Sequence, residues 1–192
     1  MKLNKYRSDE YVHYWNSDEV VEIPEYHFDK QSVRGVWVST VANIDVPKGL
    51  PENEYKEYLT KMIENIASYN INTIIFQVRP NNDAFYPSKL NPWSRYITGE
   101  EGKDPGFDVL KYVIEEAKKH DIKVHAWMNP YRVSQASLDQ LNMTKEEYLA
   151  TLAPNNFARL HPEHTILDGA NKIILSPSHP EVIDFVKSIL GV

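Results

Sequence analysis

Between residues 33 and 192 the sequence passes four times from a strand pattern to a helix pattern, and that alternation restricts the chain to few folds. The strand patterns are 33–40 (VRGVWVST), 72–80 (NTIIFQVRP), 123–128 (KVHAWM) and 172–176 (KIILS), each rich in β-branched or aromatic residues. After the first, residues 52–69 place Tyr55, Leu59, Met62, Ile63 and Ile66 on one helical stripe. After the second, Asp104 is expected to cap a helix with Pro105 in its first position. Phe107, Leu110, Ile114 and Ala117 would form that helix's buried face. Inside the long segment 133–171, Thr144 and Glu147 make a capping box, with Tyr148 and Leu152 as apolar contacts. Ser178 and Glu181 offer a second box ahead of the last helix, which has Pro180 in its first turn and Val182, Phe185, Val186 and Ile189 facing inward. No hairpin signal is read between the strands. The expectation is an α/β fold with a parallel sheet and right-handed crossovers.

In such sheets, functional groups gather beyond the carboxyl ends of the strands. Along 123–132 (KVHAWMNPYR), Val124, Ala126 and Met128 point one way and His125, Trp127 and Asn129 the other. Pro130 cannot extend a ladder, so Tyr131 and Arg132 fall on the loop beyond. A face carrying His, Trp and Asn suits a crowded site better than open water. In 72–80, Ile74, Phe76 and Val78 are assigned to the helices, while Thr73, Ile75, Gln77 and Arg79 form a face that turns polar at its carboxyl end. The candidate binding residues are therefore Gln77, Arg79, His125, Trp127, Asn129, Tyr131 and Arg132, with His179 after the fourth strand.

Each has a structural alternative. Arg79 could simply neutralise Asp83, and His125 could be a satisfied core histidine. Trp127 could belong to the core, although a Trp beside a cleft also makes a stacking platform. Asn129, Tyr131 and Arg132 could shape a turn, and His179 could help cap the last helix. Residues 81–106 are long for a loop, and such loops are uncommon unless functional. Trp93 and Tyr96 within them line an aromatic wall or pack the loop itself.

Composition excludes several classes. A net charge of -6 and a pI near 5.6, without a Lys/Arg run, argue against broad nucleic-acid or acidic-membrane binding. The absence of cysteine removes disulfides, thiolate metal sites and Cys catalysis. No segment offers the ~20 apolar residues of a membrane span. No signal-peptide pattern opens the chain, so it either stays inside the cell or begins after an export signal. Residues 1–32 are polar, lack sustained periodicity and read as an extended N-terminal arm with a short strand at 19–23. His161-Pro-Glu-His164 spaces its histidines by three with Pro inside, unlike the helical i, i+4 pair of metalloproteases, and reads as a structural loop without metal. No Gly-rich phosphate loop or Gly-x-Ser-x-Gly elbow occurs, and no cofactor is expected.

Four segments, RGVWVST at 34–40, FQVRPNNDAFYPSKLNPWS at 76–94, DPGFDVLKYVIEEAKKHDIKVHAWMNPYR at 104–132 and SHPEVIDF at 178–185, together resemble the glycosyl-hydrolase-like family 10 domain. The resemblance is collinear from about residue 33 to the end. It implies a parallel (β/α) barrel of TIM type over 33–192, an extracytoplasmic location in the cell envelope, and glycoside hydrolase activity on bacterial cell-wall polysaccharide such as peptide-free peptidoglycan strands. A barrel has about eight strand–helix units and this chain shows four, so the expectation is a half or truncated barrel. A half barrel leaves an uncovered inner face, which predicts self-association or cover by the arm. The alternative to an enzyme is a non-catalytic carbohydrate-binding or assembly module that keeps half of the cleft.

Glycoside hydrolysis ordinarily needs two carboxyl groups, roughly 5–5.5 Å apart for retention or 6.5–9.5 Å for inversion. The sequence offers Asp45, Asp83, Glu100 and Glu101. Asp83 is the best placed, just past Arg79, whose charge is expected to lower its pKa and keep it ionised. Its structural reading is a loop cap or ion pair, and no catalytic pair is named.

Overall fold

The computed structural model describes residues 2–24 and 32–191; residues 25–31 of the expected arm lie outside the described residues. The chain divides into two compact units, Met1–Val33 and Arg34–Val192.

The first unit is built on a nine-residue repeat that the sequence reading missed. Residues 4–12 (NKYRSDEYV) and 13–21 (HYWNSDEVV) carry Ser-Asp-Glu in the same place. Their turns match atom for atom. Arg7 and Asn16 both take positive φ, at 54° and 53°. Ser8 Oγ accepts from Glu10 N and Ser17 Oγ from Glu19 N, each at 3.0 Å. Leu3 N donates to Val21 O, Val12 N to Leu3 O and Val21 N to Val12 O at 2.8–3.0 Å, closing a ring of three bonds. The period escaped notice because turn residues carry it rather than apolar ones. The segment expected as a strand at 19–23 forms antiparallel bridges at Val20 and Glu22.

The second unit opens with three parallel strands in the order β1-β2-β3. β1 is Gly35–Val38. It leads through a 3-10 turn into α1, Glu52–Ser68. β2 is Thr73–Arg79. After it come a one-turn helix, α2 (Arg95–Thr98), and then α3 (Val109–Lys118). β3 is Lys123–Met128. Its Gln77↔Trp127 and Ile75↔His125 pairings fix the register with β2, which bulges between Gln77 and Arg79.

Helices α1 and α3 cover one face of the sheet. Val38, Ile74, Phe76 and Val78 meet Tyr55, Leu59, Ile63 and Ile66 of α1 there, together with Val109, Val113 and Ala117 of α3. The alternation in β2 and the stripe in α1 thus act as the sequence indicated. The stripe in α3 does so only in part: Ala117 is buried and Phe107 and Leu110 pack against the core, but Ile114 does not. Its N-cap is Asp108, which accepts from Lys111 N, while Asp104 accepts from Gly106 N in a turn. Gly106 sits at φ 85°, outside helical space, so the helix cannot start at Pro105. Val109, Val113 and Ala117 then face the core, and Ile114 is left 45% exposed.

The second departure is larger. After β3 the chain forms three short helices, α4 (Leu138–Leu141), α5 (Lys145–Ala150) and α6 (Phe157–Leu160). The expected Thr144–Glu147 capping box opens α5, and an unforeseen one, Ser137–Gln140, opens α4. The chain then makes a hairpin of β4 (Thr165–Leu167) and β5 (Ile173–Leu175). The strand expected to join the parallel sheet is this β5, and it runs antiparallel to β4 instead. It also bonds the segment after β3, with Val133 N reaching Ile173 O and Leu175 N reaching Tyr131 O. The overlooked signal is Asp168-Gly169, a hairpin turn dipeptide. Asp168 Oδ1 accepts from both Ala170 N and Lys172 N.

The last helix, α7 (Pro180–Leu190), has Pro in its first turn but not the expected Ser178 cap. His179 is its N-cap residue, without a side-chain capping bond, and Glu181 turns to His164. Val182 and Phe185 join a second core with Val133, Tyr148, Leu152 and Leu175.

The buried face of β2 sets the stability of the larger unit. Phe76 is fully buried, edge-on to Phe85 with centroids 6.1 Å apart. Phe76→Ala should therefore destabilise folding by about 3–5 kcal/mol, read from the urea midpoint. A loss below 1 kcal/mol would show that this layer is not the core.

Candidate functional site

Beyond the carboxyl ends of β2 and β3 lies a polar cluster centred on Arg79, a residue only 1% exposed. Its Nε donates to Asn91 Oδ1 at 3.1 Å. Nη1 donates to Asn129 O at 2.6 Å and Pro130 O at 3.2 Å, and Nη2 donates to Asn82 Oδ1. Phe185 of α7 lies 5.8 Å below its charged carbon. Burial pushes the Arg79 pKa down to about 10, partly countered by the charges of Asp83 and Tyr86, and the group remains cationic. A planar fork with five donors suits this position, where one side chain holds three loop segments.

Gln77 does comparable work one bulge earlier. Its Oε1 accepts from Thr40 N and Val41 N, both at 2.9 Å, and from Ser39 Oγ at 3.2 Å. This ties the end of β1 to β2. Asn129 donates through Nδ2 to Pro80 O at 3.1 Å, and Arg132 approaches the same carbonyl at 3.5 Å. Arg79, Asn129 and Arg132 therefore meet around Pro80 and the end of β3, while Gln77 faces the end of β1, and much of their hydrogen-bonding capacity is directed at the protein. Three buried side-chain atoms around them, Gln77 Nε2, Asn81 Oδ1 and Asn91 Nδ2, have no partner among the described residues.

The sheet face turned away from α1 and α3 is aromatic. Trp127 packs edge-on against Trp37, with centroids 5.0 Å apart and planes at 84°. Trp37 is 63% exposed and His125 is also exposed. His125 is thus not a core residue, and Trp37 is a member of this face that the sequence reading did not single out. Alternation along β1 already set Trp37 opposite Val36 and Val38. Tyr131 is half-buried and packs against the second core. His179 lies apart from this face, its ring 3.8 Å from that of His164.

Asp45, Asp83 and Glu101 are engaged, whereas Glu100 is exposed. Asp45 Oδ2 accepts from Ser39 N at 2.7 Å. Glu101 accepts from Arg95 through one oxygen and from Ala153 N and Asn156 Nδ2 through the other. Asp83 is 1% exposed, accepting from Asn81 N at 3.0 Å and Ser94 Oγ at 2.6 Å. Arg79 lowers the Asp83 pKa as expected, but only weakly, and the net shift is upward. Burial pushes it up to about 6, against the Ser94 bond, with Glu101 raising it further; Asn81 and, least of all, Arg79 lower it. Arg79 points its donors at amides and carbonyls instead.

Fold and site together define an α/β protein whose parallel strands present polar carboxyl ends above an open aromatic face. The profile of the family "Glycosyl hydrolase-like 10" matches residues 32–191, and the chain belongs to that family. It is 40% identical over 158 residues to "Glycosyl hydrolase YngK" of Bacillus subtilis, covering 81% of this chain and 29% of that protein. It is 33% identical over 176 residues to "Glycosyl hydrolase DigH" of Escherichia coli K12, covering 84% of this chain and 38% of that protein. The chain thus spans about a third of the length of the curated relatives it matches.

The raised Asp83 pKa has a consequence for stability. A carboxyl whose folded pKa lies above its ordinary 3.8 stabilises the fold while protonated, below about pH 4, and that contribution is lost as the pH rises through about 6. Asp83→Asn keeps an acceptor for Asn81 N and can donate to Ser94. Relative to this variant, the wild type should lose ~2 kcal/mol between pH 4 and 7. Urea midpoints at each pH measure the difference; one that stays constant would count against an elevated Asp83.

Proposed function

We propose that this chain works on carbohydrate, as part of a glycoside hydrolase acting on bacterial cell-wall glycan such as peptide-free peptidoglycan strands in the cell envelope. Family membership supports the reaction class. The observation that carries the substrate class is the Trp37–Trp127 pair on the open sheet face, beneath the polar strand ends. Sugar rings present axial C–H bonds that stack on indole, and their hydroxyls need donors and acceptors close by. His125, exposed on the same strand face as Trp127, is a group of that kind. In this reading the three parallel strands belong to a (β/α) barrel, with the aromatic face toward its axis.

A second reading, a carbohydrate-binding or assembly module without turnover, draws on the carboxylates. Among the described residues at the strand ends, Asp45, Asp83 and Glu101 are all held in hydrogen bonds, and Asp83 and Glu101 are buried. No pair of them is free to flank a glycosidic bond at the separations hydrolysis requires.

One experiment separates the readings. Peptide-free glycan strands and chitin oligomers are incubated with the protein, with reducing ends and binding measured in parallel. Release of reducing ends supports the hydrolase; binding without release supports the module. Trp127→Ala should weaken oligomer binding by about three- to tenfold, the worth of one aromatic contact. A protein that neither binds nor cleaves any of these glycans would refute both.

A further inference from the structure

The His161-Pro-Glu-His164 turn and the start of α7 form a second cluster, remote from the aromatic face. It gathers three of the chain's seven histidines. His161 ends α6, its N–H bonded to Phe157 O at 2.9 Å, and the Pro162–His164 3-10 turn brings His164 back over it. The two imidazoles lie nearly parallel, 9° apart, with centroids separated by 5.4 Å. Glu163 reaches between them. Its Oε1 stands 3.4 Å from His161 Nδ1 and 3.6 Å from His164 Nε2.

Those distances point to a metal. They exceed the 2.7–2.9 Å of a charge-assisted hydrogen bond. Donors bound to zinc at about 2.0–2.2 Å in a tetrahedron stand roughly 3.3–3.6 Å apart. The three ligand atoms all lie within 4.8 Å of one another. A fourth donor arrives from a different element. Glu181, in the first turn of α7, places Oε2 2.7 Å from His164 Nε2, and its exposed side chain can swing outward to share an ion. His164, by contrast, is fixed. It is 5% exposed and wedged against the rings of His179 and Phe157. Lys145 of α5 spends its bonds on Pro162 O and Thr165 O rather than on either carboxylate.

We propose that His161, Glu163, His164 and Glu181 bind one divalent transition-metal ion, with zinc as the best match to two imidazoles and two carboxylates. The ion binds His161 through Nδ1 and His164 through Nε2, both imidazoles neutral. It clips the α6–β4 turn to α7, and its role is structural. Spacing alone concealed the site, because one carboxylate lies between the histidines and the other lies 17 residues after His164.

The test is calorimetric titration of EDTA-treated protein with zinc chloride, together with the visible spectrum of the cobalt-loaded protein. One zinc per chain and the intense visible bands of tetrahedral cobalt are expected. His161→Ala and Glu163→Gln alter partly exposed side chains and should preserve the circular dichroism spectrum while weakening zinc binding by at least about tenfold. His120→Ala, at an exposed histidine outside the cluster, should change nothing. Weak binding of several ions, or one-zinc binding that survives both ligand substitutions, overturns the proposal.

Discussion

A guanidinium taken almost wholly out of water is tolerable only if its donors are matched by acceptors of fixed geometry. Arg79 meets that condition with Asn82, Asn91 and the carbonyls of Asn129 and Pro130, which come from the loops after β2 and after β3. Those loops would otherwise be independent. With Arg79 between them, the end of one strand sets the path of two connections, and Asn82 passes the constraint on to Asn156 at the start of α6. Phe185 beneath the guanidinium extends the link to α7. The positions of Trp127 and His125 follow from it, because β3 is paired with β2 in a register that the Arg79–Asn129 contact closes.

The same network explains why segment 81–106 is not an ordinary surface loop. Asn81, Asn82, Asp83, Ala84 and Phe85 are all buried, and a parallel bridge joins Ala84 to Trp93. A buried loop must satisfy its polar groups internally. This one does so with an unusual density of Asn, Asp and Ser side chains. Asp83 illustrates the outcome: surrounded by donors, it is still governed more by burial than by the nearby positive charge. Position next to arginine in sequence was a poor guide, because the arginine had other partners to reach.

Legibility differed by element, for physical reasons. α1 and β2 could be read because each buries one regular face, so period and burial agree. The start of α3 was misread because Asp104-Pro105 satisfies the chemistry of a cap, while Gly106 two positions on breaks the helical path. β5 was taken for a parallel strand because Ile173, Ile174 and Leu175 look alike in either sheet; only Asp168-Gly169 betrays the hairpin. Of the site, the meeting of Arg79 with Asn129 followed from alternation and strand ends. Their partners did not, since Asn82, Asn91 and Asn156 come from irregular segments with no period to read. Glu181 reaching His164 was beyond any local rule.

The closed ring among Leu3, Val12 and Val21 constrains how the first unit can vary. Two of its bonds each span one nine-residue turn, and the third, from Leu3 N to Val21 O, spans both. Gain or loss of a residue in either turn therefore bears on the bond across that turn and on the closing bond, while the bond across the other turn keeps its register. Adding or removing length in whole repeats preserves the equivalence of the turns, which makes repeat number a natural unit of divergence for this unit.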